Sequence, residues 1–291
     1  MEEKLREYAK LLIELGVNVQ PGQTLVIASP VDCAHFARLC VAEAYAAGCR
    51  EVVMNWNDDA LTREKYLHAA DEVFDSVHSW TADFFEKVSA EGGAWLAIHA
   101  VDPENLKGCD PDRIQRAQIA SGKALEGFRR RETNNEFPWC VCSVPTERWA
   151  RKVFPELETE AAMEKLWEAI LSTSRVDEDP VAAWEAHNKD LHDRCRYLSG
   201  LGIRELRYKS ANGTDFTVGM IPEAQFCGGG ETSLQGVFFN PNIPTEECFI
   251  SPMKGVAEGI VYATKPLSYQ GQLIDGFWIR FQEGKAVEWH A

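Results

Sequence analysis

The sequence predicts an α/β protein: an open parallel sheet with flanking helices over residues 1–195, then the beginning of a β-rich α+β region over 196–291. Two observations carry this reading. In the first part, short apolar runs such as residues 24–28 (TLVIA) alternate with stretches whose apolar residues recur every three or four positions. From Gly200 onward the helical period stops, and β-rich runs are separated by glycine and proline turns.

The elements follow in order. Leu5, Tyr8, Leu11, Leu12 and Leu15 mark an amphipathic helix that ends at Gly16. Pro21-Gly22 makes a turn, and the TLVIA run is a strand buried on both faces. Asp32 is placed to cap the next helix, whose apolar positions run through Phe36, Leu39, Cys40 and Tyr45 to a stop at Gly48. Residues 51–55 (EVVMN) form a second strand, so this strand–helix–strand unit implies a parallel pair with a right-handed crossover. Residues 94–99 (AWLAIH) and 139–143 (WCVCS) have the same character, with Cys140 and Cys142 on one strand face. Residues 154–198 read as continuously helical: Met163, Leu166, Trp167 and Ile170 make one stripe, and Val181, Trp184 and Leu191 another after Pro180. Beyond Gly200 the strand runs are 205–208, 215–218, 236–240, 258–263 and 276–281, with Asn212-Gly213 as a hairpin turn between the first two.

Composition removes several function classes. A net charge of −15 leaves no basic face to release counterions from phosphates, which argues against nucleic acid as a partner. The run Arg129-Arg130-Arg131 is followed at once by Glu132 and reads as a solvated helix end. No stretch approaches the ~20 apolar residues that span a bilayer, and Met1-Glu2-Glu3-Lys4 does not open a signal peptide. Nine cysteines without a CxxC pair fit free thiols in a reducing cytoplasm better than a disulfide framework.

Few segments suggest chemistry. After the TLVIA strand comes Ser29-Pro30-Val31-Asp32, without the glycine that admits a pyrophosphate to a helix N-terminus, and no Walker sequence is present; no cofactor-binding residues are assigned. Cys227-Gly-Gly-Gly230 precedes a β run rather than a helix and reads as a flexible turn between strands. His187 and His192 are five apart, on different sides of a helix, and the i, i+4 spacing of an HExxH zinc site is absent. His35, His68, His78 and His99 read as satisfied or solvated side chains, and neither a GxSxG elbow nor a cysteine-nucleophile signature occurs. What remains is Asn240-Pro-Asn-Ile-Pro-Thr-Glu-Glu-Cys-Phe249. Read as a strand, it sets Glu247 and Phe249 on one side and Glu246 and Cys248 on the other, an acidic pair at a strand entrance.

Three pieces in order, Ala211-Asn-Gly-Thr-Asp-Phe216, Asn242-Ile-Pro-Thr-Glu-Glu-Cys-Phe249 and Ala257-Glu258-Gly259, resemble the thermophilic-type metalloaminopeptidases that include aminopeptidases T and S. Gly16-Val17 and the Pro21-Gly22 turn fit as well, and the Asn-Ile-Pro-Thr-Glu-Glu block is the specific part. The resemblance implies a cytoplasmic hydrolase, commonly a homodimer, that removes N-terminal residues from peptides through water activated by two divalent ions (zinc, cobalt or manganese). It places a metal ligand on Glu247 and makes Glu246 dispensable, because relatives often carry glycine at the first of the two positions. It makes residues 196–291 the N-terminal part of the catalytic domain. It also implies that the family's further ligands (a glutamate, a histidine, a tyrosine and a His-x-Asp element) and its catalytic residues lie beyond residue 291. The expectation is therefore a C-terminally truncated peptidase, inactive as 291 residues. The competing expectation is a non-enzymatic binding or oligomerisation remnant of such an enzyme.

Overall fold

The N-terminal apolar repeat folds as α1 (Glu2–Leu11) and continues through one π-helical turn over Leu12–Gly16, so the helical pattern ends at Gly16. The computed structural model describes residues 1–100, 102–176 and 179–291. Next come β1 (Thr24–Pro30), α2 (Ala34–Ala46), β2 (Glu51–Asn57), α3 (Asp59–His68) and α4 (Ser79–Ala90). They are followed by β3 (Ala94–His99), α5 (Pro111–Ala124), α6 (Glu126–Thr133), β4 (Trp139–Ser143), α7 (Glu147–Val153), α8 (Thr159–Thr173) and α9 (Pro180–Gly200). The later strands are β5 (Glu205–Lys209), β6 (Asp215–Met220), β7 (Glu231–Thr232), β8 (Phe238–Phe239) and β9 (Asn242–Ile243). The chain closes with β10 (Pro252–Tyr262), β11 (Leu267–Tyr269), β12 (Gln272–Ile274), β13 (Trp278–Gln282) and β14 (Lys285–His290).

Two units form. The first comprises Met1–Glu185 and Gly230–Thr245, the second Ala186–Gly229 and Glu246–Ala291. In the first, five parallel strands run in the order β2-β1-β3-β4-β9. Alternation along each strand feeds two cores. Leu25, Ile27, Leu96, Ile98, Cys140 and Cys142 join Tyr8, Phe36, Leu166 and Trp184 on one face, while Val26 and Trp95 meet Phe128 and Phe137 on the other. Covering both faces of a parallel sheet with helices is the arrangement the apolar runs predict.

The second unit carries an antiparallel sheet in the order β14-β13-β10-β6-β5. Asn212-Gly213 makes its hairpin: Lys209 pairs with Asp215, Asn212 Oδ1 accepts from the Thr214 N–H at 3.1 Å, and Gly213 takes φ +102°. From α9 this unit takes a face on which Asn188, Leu191 and Cys195 are all buried.

Three expectations need correction. Asp32 lies in a 3-10 turn over Val31–Cys33, and α2 starts at Ala34 with Cys33 in the N-cap position and no side-chain cap. Caps do form at Asp58 on α3, Asp110 on α5, Thr146 on α7 and Asp179 on α9, whose Oδ1 accepts from the Ala182 N–H at 3.0 Å. The helical stretch 154–198 is two helices, starting at Thr159 and Pro180, because Ser174 receives the Trp184 indole N–H on its carbonyl at 2.7 Å and Arg175 takes φ +56°. Finally, strand pairing around the acidic block stops at Ile243 and resumes only as the single pair Cys227–Phe249. Glu246, Glu247 and Phe249 are all exposed, so the two-faced alternation does not hold.

Candidate functional site

The acidic block is entered from the first unit's sheet. Asn240 is fully buried; its N–H donates to the Gly16 carbonyl at 2.8 Å and its Nδ2 to the Leu15 carbonyl at 3.3 Å. The Pro241 carbonyl accepts from the Val141 N–H at 2.8 Å, and β9 then pairs Asn242 with Val141 and Ile243 with Cys142. The Ile243–Pro244 bond is cis. The chain then enters the second unit with two exposed carboxylates.

Backbone packing fixes where they stand. Cys227 and Phe249 exchange both N–H···O bonds at 2.8 Å. Gly228, next in line, is buried flush against the Glu247 carbonyl, leaving no space for a Cβ. Gly229 adopts φ +79° against Asn188 and Leu191 of α9. The glycine run that reads as a flexible turn is thus a close-packed seat for the Glu247 backbone, and glycine is required by proximity. Glu246 Oε2 lies 3.8 Å from His187 Nε2, whose side chain is 9% exposed. Sequence pattern sets both residues aside; it cannot place His187, because a helical histidine reveals its partner only once the loop docks.

Directly after Glu247, Cys248 and Phe249 enter the wall of an apolar hollow of about 860 Å³, completed by Leu206, Phe216, Met220 and Tyr262. A second cavity, of about 530 Å³, opens in the first unit beyond the C-terminal ends of its strands, where the neighbouring β1 and β3 have β2 on one side and β4 on the other. Open α/β sheets commonly bind ligands at this switch point. Asp32, Asp58, Asp59, Asp102, Glu147 and Arg148 line it. Arg148 pairs with Asp102 at 3.0 Å, which raises the guanidinium pKa further. Burial raises the Asp59 carboxyl pKa, although the Asp102 N–H donates to it at 3.1 Å. The signal in the sequence was the acid after each strand, which only the strand order brings together.

Among the described residues, no three His, Cys, Asp or Glu side chains gather closely enough to hold a metal ion. No helix among them is long and apolar enough to cross a membrane.

The sequence profile described as thermophilic metalloprotease (M29) matches residues 1–291. The chain is 42% identical to aminopeptidase 2 of Geobacillus stearothermophilus over 291 residues, which cover 100% of this chain and 70% of that protein. It is 37% identical to aminopeptidase T of Thermus aquaticus over 287 residues, 98% of this chain and 70% of that one. The solved structure of wild-type AmpT from Thermus thermophilus superposes with a TM-score of 0.89 at 34% identity, covering 99% of this chain and 71% of that chain. Over its whole length this chain belongs to the thermophilic metalloprotease (M29) family of peptidases.

Proposed function

We propose that the chain is an aminopeptidase acting on the N-terminal residue of peptides, with Glu247 as one ligand of a centre of two divalent ions, zinc, cobalt or manganese. The observation that carries this is the Asn242-Ile-Pro-Thr-Glu-Glu block in a chain whose relatives are named aminopeptidases. The exposed Glu247 carboxylate on an anchored backbone supports it. Among the described residues the donors do not complete such a centre, since one carboxylate cannot hold two ions, and no step of the hydrolysis is assigned to them. Residues 1–195 hold the N-terminal α/β domain, whose sheet β9 completes, and 196–291 otherwise form the first part of the catalytic domain, in a cytoplasmic homodimer.

The test has two arms. The 291-residue chain is expected to show no Glu247-dependent cleavage of leucine p-nitroanilide with zinc or cobalt; robust cleavage abolished by Glu247→Ala overturns the inactivity. The intact mass from the natural source is expected above 32.7 kDa, and the longer protein should lose activity with Glu247→Ala but keep it with Glu246→Gly. The apolar hollow favours a second reading, a binding or oligomerisation remnant. A natural mass of 32.7 kDa, with melting unmoved by zinc or cobalt, puts that reading first.

A further inference from the structure

We propose that Cys195 and Cys248 form a redox-sensitive clasp: oxidation by a hydroperoxide joins their sulfurs and fastens the segment carrying Glu247 to helix α9. Three contacts within the second unit place the pair. The Cys248 S–H donates to the Leu191 carbonyl at 3.8 Å. That carbonyl lies one helical turn before Cys195, on the same buried face of α9. Gly228 is close to both the helix face and the residue before Cys248: a Cβ there would lie 3.4 Å from Cys195 Sγ while colliding with the Glu247 carbonyl. The missing side chain at 228 is what lets the helix face and the Cys248 segment close on each other. The paired backbone bonds of Cys227 and Phe249 then hold Cys248 in register.

Burial, with the neighbouring Cys248 thiol, pushes the Cys195 thiol up to about 12. Cys195 is buried and Cys248 partly exposed, so oxidation enters at Cys248. The Cys248 sulfur attacks the hydroperoxide: an S–O bond forms, the O–O bond breaks, and the leaving alkoxide takes the Cys248 proton and departs as the alcohol (water, for hydrogen peroxide). The Cys195 sulfur then attacks the Cys248 sulfur. The S–S bond forms, the S–O bond breaks, and the departing hydroxide takes the Cys195 proton as water. Two thiols lose two electrons and the peroxide gains them. Any effect on peptide cleavage rests on the reading of Glu247 as a ligand; the clasp itself does not.

The experiment treats the full 291-residue chain with hydrogen peroxide, alkylates it in denaturant, and measures intact mass and linked peptides. Nine thiols are present, and seven are expected to alkylate, with one intramolecular bridge mapping to Cys195–Cys248 and dithiothreitol restoring all nine. Nine alkylated thiols after oxidation overturn the proposal. So does any other linkage, including one through the exposed Cys227 to a second copy. Cys195→Ser should remove the bridge; because the mapping is done on the unaltered chain, a variant that fails to fold does not change what the mapping shows. The readout is thiol count, so it fails or succeeds independently of aminopeptidase activity.

Discussion

Gly228 and Glu247 are in backbone contact: the α-carbon of the glycine rests on the carbonyl oxygen of the glutamate with no space between them for a methyl group. The two are nineteen residues apart in sequence, and the contact packs the backbone of the exposed glutamate against the glycine run.

Gly228→Ala should therefore destabilise the protein by about 1–3 kcal/mol, the usual range for overpacking a closed contact. Gly200→Ala, at a position with nothing within 4 Å, should stay within about 0.5 kcal/mol. Urea unfolding of both variants checks the contrast, and equal losses would show that the seat is soft.

Asn240 ties β9 to the end of the first helical segment. Its Nδ2 donates to the Leu15 carbonyl, and its buried Oδ1 has no partner among the described residues. Asn240→Ala should cost about 1–3 kcal/mol, because the Leu15 carbonyl loses a donor inside the protein. A melting temperature unchanged from the parent would refute this.

Asp59 sets one pH dependence. Burial, with the charges of Asp102 and Asp32, raises its pKa above 3.8, against the bond from the Asp102 N–H and the charge of Arg148. The folded state thus holds this proton more tightly than the unfolded chain. Its contribution to stability is present in acid and lost as pH rises through the folded value. Asp59→Asn keeps an acceptor for the Asp102 N–H and should raise melting at neutral pH while leaving the acid end unchanged.

Glu104 works in the opposite direction. Hydrogen bonds from Lys107 and Lys152, at 2.8 and 2.7 Å, hold its pKa at about 2 rather than 4.5. Its contribution is present above the ordinary value and disappears as pH falls from there towards 2. Glu104→Gln should flatten melting across that window, and added salt should mimic part of the effect, because these groups are exposed to screening.

The parallel sheet was legible because strands buried on both faces must be apolar throughout: TLVIA, AWLAIH and WCVCS announce themselves by composition alone. The hairpin at Asn212-Gly213 was legible because its backbone demands φ > 0. The β9 strand was not, since two residues carry no period, and it is specified by Asn240 and Pro241 bonding to Gly16 and Val141 far earlier in the chain. At the site, Glu247 emerged from a resemblance, and no pattern marked it. The Glu246–His187 approach and the Cys195–Cys248 pair depend on a loop docking against a helix, which leaves no trace in local spacing.

The late arrival of β9 has a consequence for synthesis on the ribosome. Ser143 ends the fourth strand of the first unit's sheet, and about a hundred more residues are made before Asn242 and Ile243 supply the fifth. At ~5–20 residues per second the nascent chain carries β4 with a bare edge for roughly 5–20 s. Throughout that interval the place that Ile243 fills beside Gly16 and Cys140 stands empty. An open strand edge invites pairing with neighbouring chains, so slowed elongation between those two strands should lower the soluble yield.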